Sequence, residues 1–169
     1  MRSNADLSIR DATGDDMSSV TAIYARHVLT GMATFEVDPP GEAEMHSRWF
    51  KMVGAGWPYL VAVRGGEVIG YAYAAQFRDR AAYRHTGEMS IYLSLDHVRQ
   101  GIGRLLLEAL IERARDAGFR QLIGVISDGE ASGSIALHRA CGFETVGLLR
   151  NVGEKFGRLI DVVFMQRAI

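Results

Sequence analysis

Residues 90–110 read SIYLSLDHVRQGIGRLLLEAL, and this stretch decides the fold. An apolar strand runs into a loop carrying Gly101-Ile102-Gly103, which opens directly onto a helix of strong apolar periodicity. Glycines there let a backbone approach a ligand closely, and the first helical N–H groups have no partner within the helix. Those donors, with the positive end of the helix dipole, favour a phosphate. Two common phosphate sites are excluded by residue type. A dinucleotide fingerprint requires a third glycine where Leu106 stands, and a nucleotide P-loop requires a Gly-Lys-Ser/Thr that is absent. The loop also lies in mid-chain, after a hairpin, not at the start of a repeated βαβ unit.

Working outward, strands are expected at 7–10, 59–63, 68–75, 88–95, 121–126, 143–150 and 159–166. Gly65-Gly66 suits a tight hairpin turn, and the last two strands close around a turn at 151–158. Helices are expected from Thr13-Gly14-Asp15-Asp16 onward, where a capping-box pattern precedes Met17, Val20, Ile23, Tyr24 and Val28. Three more are expected at 42–53, 102–117 with Gly118 as a C-terminal cap, and 134–141. The order is strand, two helices, three strands, helix, strand, helix, two strands: a mixed α/β single domain spanning 1–169.

Composition narrows the function classes. The chain has 169 residues, 48% hydrophobic and 23% charged, with a net charge of −1, and so is an ordinary globular protein. No basic run suggests nucleic acid or a membrane surface. No apolar run suits a signal peptide or a membrane span. The one cysteine, Cys141, permits no intrachain disulfide and points to a reducing, cytoplasmic setting. No metal is expected, because no His, Cys and carboxylate cluster has ligand spacing.

What remains of the loop resembles the acetyl-CoA loop of the GCN5-related N-acetyltransferases (GNAT), Gln/Arg-x-x-Gly-x-Gly/Ala between a strand and a long helix. Val98 departs from it at the first position. Further residues resemble the phosphinothricin and methionine sulfoximine/sulfone branch. They are Phe35, Arg78, Tyr83, Thr86, Glu88, Tyr92, His138 before Gly142-Phe143, and a tail from Val152-Gly153-Glu154-Lys155-Phe156-Gly157-Arg158 to Gln166. The likeness covers Ile9 to about Gln166. It implies a mostly antiparallel seven-stranded sheet flanked by four helices, with strands four and five splayed to admit pantetheine. It also implies acetyl-CoA as co-substrate and a homodimer. Arg99, Gln100, Gly101, Ile102, Gly103 and Arg104 would wrap the pyrophosphate, with charge from Arg99 and Arg104. Ile91, Tyr92 and Leu93 would meet the rest of the cofactor. The loop from Ser127 to Ser134 lacks the asparagine that usually meets pantetheine, leaving Ser134 or Ser132 as substitutes.

Acetyl transfer to an amine needs a base, donors to the thioester oxygen and a route for the departing thiolate. Glu88 is the candidate base: it stands on an otherwise apolar strand, with Ser90 and Tyr92 on the same face. Burial would raise its pKa from about 4.3 toward usefulness, with a water as relay. On position alone it is equally a strand-end carboxylate in solvent or paired with Arg84. His138, where many of these enzymes carry tyrosine, can give or take a proton near its ordinary pKa of about 6.5. Without the resemblance it reads as a buried, hydrogen-bonded histidine. Arg78 and Lys155 are candidates to hold an acidic group of the acceptor. Arg80 reads as a solvated charge, and Phe35, Tyr83 and Thr86 would line the pocket. Cys141 reads as a packed helix-end residue more than a nucleophile, which favours direct transfer in a ternary complex. Arg10, His27, His46, His85 and His97 form no constellation. The expectation is an N-acetyltransferase acting on the α-amine of a small amino acid analogue. The rivals are an acetyltransferase for protein N-termini or other amines, and a non-catalytic acetyl-CoA sensor.

Overall fold

The computed structural model describes residues 6–127 and 132–169. One sheet of seven strands runs through it in the order β1-β2-β3-β4-β5-β7-β6. The strands are β1 (Leu7–Asp11), β2 (Tyr59–Arg64), β3 (Glu67–Gln76), β4 (Thr86–Leu93), β5 (Gln121–Ser127), β6 (Glu144–Lys155) and β7 (Arg158–Ala168). Every neighbouring pair is antiparallel except β4 and β5. A parallel pair needs a crossover, and α3 (Ile102–Asp116) supplies it.

Strand alternation divides the chain into two cores. Leu60, Ala62, Ile69, Ala72, Ala74 and Met89 face α3, whose Leu106, Leu107, Leu110 and Ile111 are buried against them. Tyr59, Val61 and Tyr71 face the other way, onto Met17, Val20, Ile23, Tyr24 and Val28 of α1 (Met17–Thr30) and Met45 of α2 (Glu42–Gly54). The last helix, α4 (Ser132–Ala140), lies on the α3 side.

The start of α1 is pinned to β1. Asp16 accepts from Arg10 at 2.7 and 2.8 Å and from the Thr13 backbone N–H at 2.7 Å, completing a capping box with the Thr13 side chain. Between β2 and β3, Gly65 and Gly66 carry φ of 56° and 81°, the left-handed pair of a type I′ hairpin.

Two boundaries differ from expectation in ways that matter. Strand β4 starts at Thr86 and ends at Leu93, so Glu88 lies inside the strand and Leu95 begins a short 3-10 turn to His97. The β6–β7 turn is not 151–158 but the two residues Phe156 and Gly157, with φ of 53° and 69°. Asn151, also left-handed at 54°, sits in an irregularity of the register between Leu149 and Gly153, and its N–H donates to Asp161 at 2.7 Å.

Candidate active site

The parallel ladder between β4 and β5 lasts four residues, from Thr86 opposite Gln121 to Met89 opposite Gly124. Beyond it β4 pairs only with β3, and β5 only with β7, so the two strands part as a fork. The Ser94 N–H donates to Ile69 at 2.8 Å, which fixes the parity of β4. Ser90 and Tyr92 therefore turn their backbone groups to β3, while Ile91 and Leu93 turn theirs into the fork. His27 Nε2 donates to the Leu93 carbonyl at 2.7 Å. The Ile91 N–H and carbonyl and the Leu93 N–H remain as an open strand edge.

A cavity of about 560 Å³ fills the fork. Ile91, Tyr92 and Leu93 form one wall, Val98, Arg99, Gly101, Gly103 and Arg104 one end, and Ser127, Ser134 and Leu137 the other wall. Gly101 caps α3 in the left-handed region at φ 78°, so the first N–H groups of a 15-residue helix are aimed at that end. Arg99 is left-handed too, at φ 60°. Arg104 donates to Glu108 at 2.8 Å, and Gln100 accepts from Arg64 at 2.7 Å, away from the glycines. Ile102 sends its side chain into the core. Residues 128–131 and the Ser132 side chain lie outside the described residues, and with them the choice between Ser132 and Ser134; Ser134 lines the cavity.

A smaller space of about 70 Å³ continues the cavity deeper, lined by Met89, Ser90, Ile91, Tyr92, Ser127, Ser134 and His138. His138 is keyed into the base of the fork, and a Cβ on Gly124 would stand 2.9 Å from its ring. Its Nδ1 lies 2.8 Å from the Ser134 carbonyl, which can only accept, so Nδ1 carries the proton. Burial lowers the pKa of His138 and so favours the neutral ring, and its Nε2 stands 3.0 Å from Met89 Sδ.

Glu88 lies one residue before the fork and on the opposite face from His138, sharing that face with Ser90 and Tyr92. Burial raises its pKa, partly offset by Arg78, whose Nη1 is 3.9 Å away. Arg84, the partner in the alternative reading of Glu88, bonds the Ala81 carbonyl. Arg78 lies over the Phe77 ring and remains largely exposed. Tyr83 stacks edge-on against Phe77 on the rim. Thr86 contributes its carbonyl to the Phe77 N–H at 2.9 Å.

Around Glu88 the α1 face is rich in tyrosine. Burial raises the pKa of Tyr73, and Glu88 adds to that shift. Tyr24 hydroxyl meets Thr34 Oγ1 at 2.8 Å. Thr34 and Phe35 lie in the loop between α1 and α2, brought to the site by this bond and by Arg48 on Glu36 at 2.6 Å. Lys155 is not in the turn but at the end of β6; it is buried, and its Nζ donates to the Thr34 carbonyl at 2.9 Å. Burial pushes its pKa down.

The sequence reading passed over His27, Met32, Ala33 and Ser127, all of which line the cavity. No local pattern marks them, because Met32 and Ala33 reach the fork through a loop and Ser127 holds the Met32 carbonyl. Cys141 is buried at the end of α4, where burial raises its thiol pKa, unlike an activated nucleophile. Among the described residues no group of three or more His, Cys, Asp or Glu is placed to hold a metal ion.

A strand fork ending at a glycine-capped helix is the architecture of an acetyl-CoA site, and comparison with known proteins agrees. An acetyltransferase (GNAT) domain matches residues 9–164, and the chain belongs to this family. It is 49% identical to the phosphinothricin N-acetyltransferase of Alcaligenes faecalis, over 96% of this chain and 82% of that one. It is 41% identical to the L-methionine sulfoximine/L-methionine sulfone acetyltransferase of Pseudomonas aeruginosa, over 94% of this chain and 92% of that one. A crystal structure of a GNAT phosphinothricin acetyltransferase from Sinorhizobium meliloti with AcCoA superposes with a TM-score of 0.93 at 50% identity, covering 97% and 89% of the two chains. The protein is an acetyl-CoA-dependent N-acetyltransferase.

Proposed function

We propose that the acceptor is the α-amine of a small amino acid analogue of the phosphinothricin, methionine sulfoximine or methionine sulfone type, acetylated directly in a ternary complex. The observation that carries this is the pair Glu88 and Arg78, 3.9 Å apart beside the base of the fork. One is a carboxylate that burial makes more basic, the other a guanidinium for an acidic group. An amino acid presents both an amine and an acid within a few bonds. The two relatives named for such acceptors support the same reading.

Bound acetyl-CoA supplies the acetyl group as a thioester with a thiolate leaving group. The residues present fit it: the α3 N-terminus and the 99–104 turn would meet the pyrophosphate, with Arg99 and Arg104 for charge. The open edge of Ile91 and Leu93 would pair with the pantetheine amides. Glu88 takes the amine proton, directly or through a water. His138 ties α4 to the base of the fork and lines the acetyl end. Phe35, Tyr83 and Thr86 wall the acceptor, and Lys155 holds the loop that carries Phe35.

Homodimerisation is part of the same proposal. Leu148, Leu149, Val152, Phe156 and Leu159 are exposed along the β6–β7 edge, an apolar surface suited to a second copy. The lone, unpaired Cys141 supports a reducing, cytoplasmic site of action.

The test is release of free thiol from acetyl-CoA with phosphinothricin, methionine sulfoximine, methionine sulfone and a short peptide with a free N-terminus. The expected result is turnover with at least one of the three amino acid analogues, at a kcat/KM about 100-fold or more above the peptide, since leaving buried polar groups unpaired costs that much. Preference for the peptide would overturn the acceptor assignment.

A further inference from the structure

We propose that Gly153 is a positioning residue for the acceptor. Its missing side chain seats the Phe35 ring on the backbone of β6 and so sets where the wall of the acceptor pocket stands. This rests on the reading above that Phe35 walls that pocket.

A Cβ built on Gly153 would lie 2.4 Å from both Cε2 and Cζ of Phe35 and 3.0 Å from Cε1. Carbon atoms in van der Waals contact need about 3.5 Å. The ring therefore lies on the strand in space that any side chain at 153 would fill. Backbone conformation does not explain the glycine: Gly153 is absent from the positive-φ glycines, whereas Gly157 and Gly142 are among them. What it provides is room.

The surrounding geometry is built around this contact. The register irregularity between Leu149 and Gly153, stabilised by the left-handed Asn151 on Asp161, re-aims the end of β6. Residues 153 and 155 share a strand face. That face meets consecutive loop residues, Lys155 Nζ holding the Thr34 carbonyl at 2.9 Å while Gly153 receives the Phe35 ring. Thr34 and Glu36 are fixed by polar ties, from Tyr24 at 2.8 Å and Arg48 at 2.6 Å. Phe35 lies between them and takes its position from packing. Phe35 remains 42% exposed, and its open face is the one an acceptor side chain can cover.

The experiment measures KM for methionine sulfone and for acetyl-CoA in wild type, Gly153→Ala, Phe35→Ala and the double variant. An alanine methyl would push the ring by about 1 Å. Gly153→Ala is expected to raise the acceptor KM about tenfold while the acetyl-CoA KM changes less than about twofold. In the Phe35→Ala background, the same substitution is expected to change neither, because no ring remains to displace. If Phe35→Ala raises the acceptor KM and Gly153→Ala does not, the proposal is overturned and the pocket reading stands. If Phe35→Ala leaves the acceptor KM unchanged, the pocket reading fails and takes the proposal with it. An equal effect of Gly153→Ala with and without the ring places the cause in the strand, which also overturns the proposal. Should Gly153→Ala unfold, thermal midpoints decide: the double variant recovers stability if the ring contact is the cause, and its failure to recover overturns the proposal.

Discussion

His138 shows how far a residue's identity falls short of its chemistry. A histidine near the reacting centre is legible in the sequence, but its tautomer is not, because that depends on one carbonyl, Ser134 O at 2.8 Å. With Nδ1 at that carbonyl and the pKa lowered by burial, the neutral ring is favoured. Burial disfavours the charged form, so a proton-donating role would fade as pH rises through the lowered pKa. The expectation is that kcat shows no decline between about pH 6.5 and 8. A decline there that disappears in His138→Gln would return His138 to the role of acid. Glu88 was legible as a carboxylate on an apolar strand and Arg78 as a candidate for an acidic group, but their pairing was not: the sequence alone left Glu88 equally open to solvent or to Arg84, whose guanidinium bonds the Ala81 carbonyl.

At the scale of elements, regular periodicity was easy to read and irregularity was not. Helix α3 and the hairpin at Gly65-Gly66 follow from patterns with one physical meaning. The β6–β7 region does not, because Asn151, Gly153 and Gly157 look alike as turn formers and serve three purposes. Asn151 makes a bulge, Gly153 makes room, and Gly157 makes the turn. The strand order that places β7 between β5 and β6 is a long-range choice no local pattern records. The junction of β1 with α1 was half legible, as a capping box without its ion pair. Asp16 is held by Arg10 first, with burial opposing, and its pKa is lowered below the ordinary 3.8. A lowered carboxylate pKa stabilises the fold above the unfolded value and loses that contribution as pH falls through the folded one. Asp16→Asn is therefore expected to cost about 1–2 kcal/mol at pH 7, discounted for the exposed arginine. Thermal unfolding across pH should show that gap narrowing below about pH 4. A gap constant with pH would contradict the assignment.

The whole molecule brings two sites to one fork. Parting of β4 from β5 after Met89 opens a cavity ending at the α3 N-terminus. On the opposite face of β4, the loop carrying Phe35 and the connection carrying Arg78 close around Glu88. The family and its co-substrate follow from the first, and the acceptor from the second. The proposed transfer rests on a single carboxylate, Glu88, whose pKa burial raises. The measurement that tests this most directly is the pH dependence of kcat/KM for the acceptor in wild type and Glu88→Gln. The wild-type profile should rise through the raised Glu88 pKa as pH increases. In Glu88→Gln, activity should fall about 100-fold and that limb should vanish, leaving only the titration of the acceptor amine. A Glu88→Gln enzyme with full activity and the wild-type profile would show that the base is not Glu88.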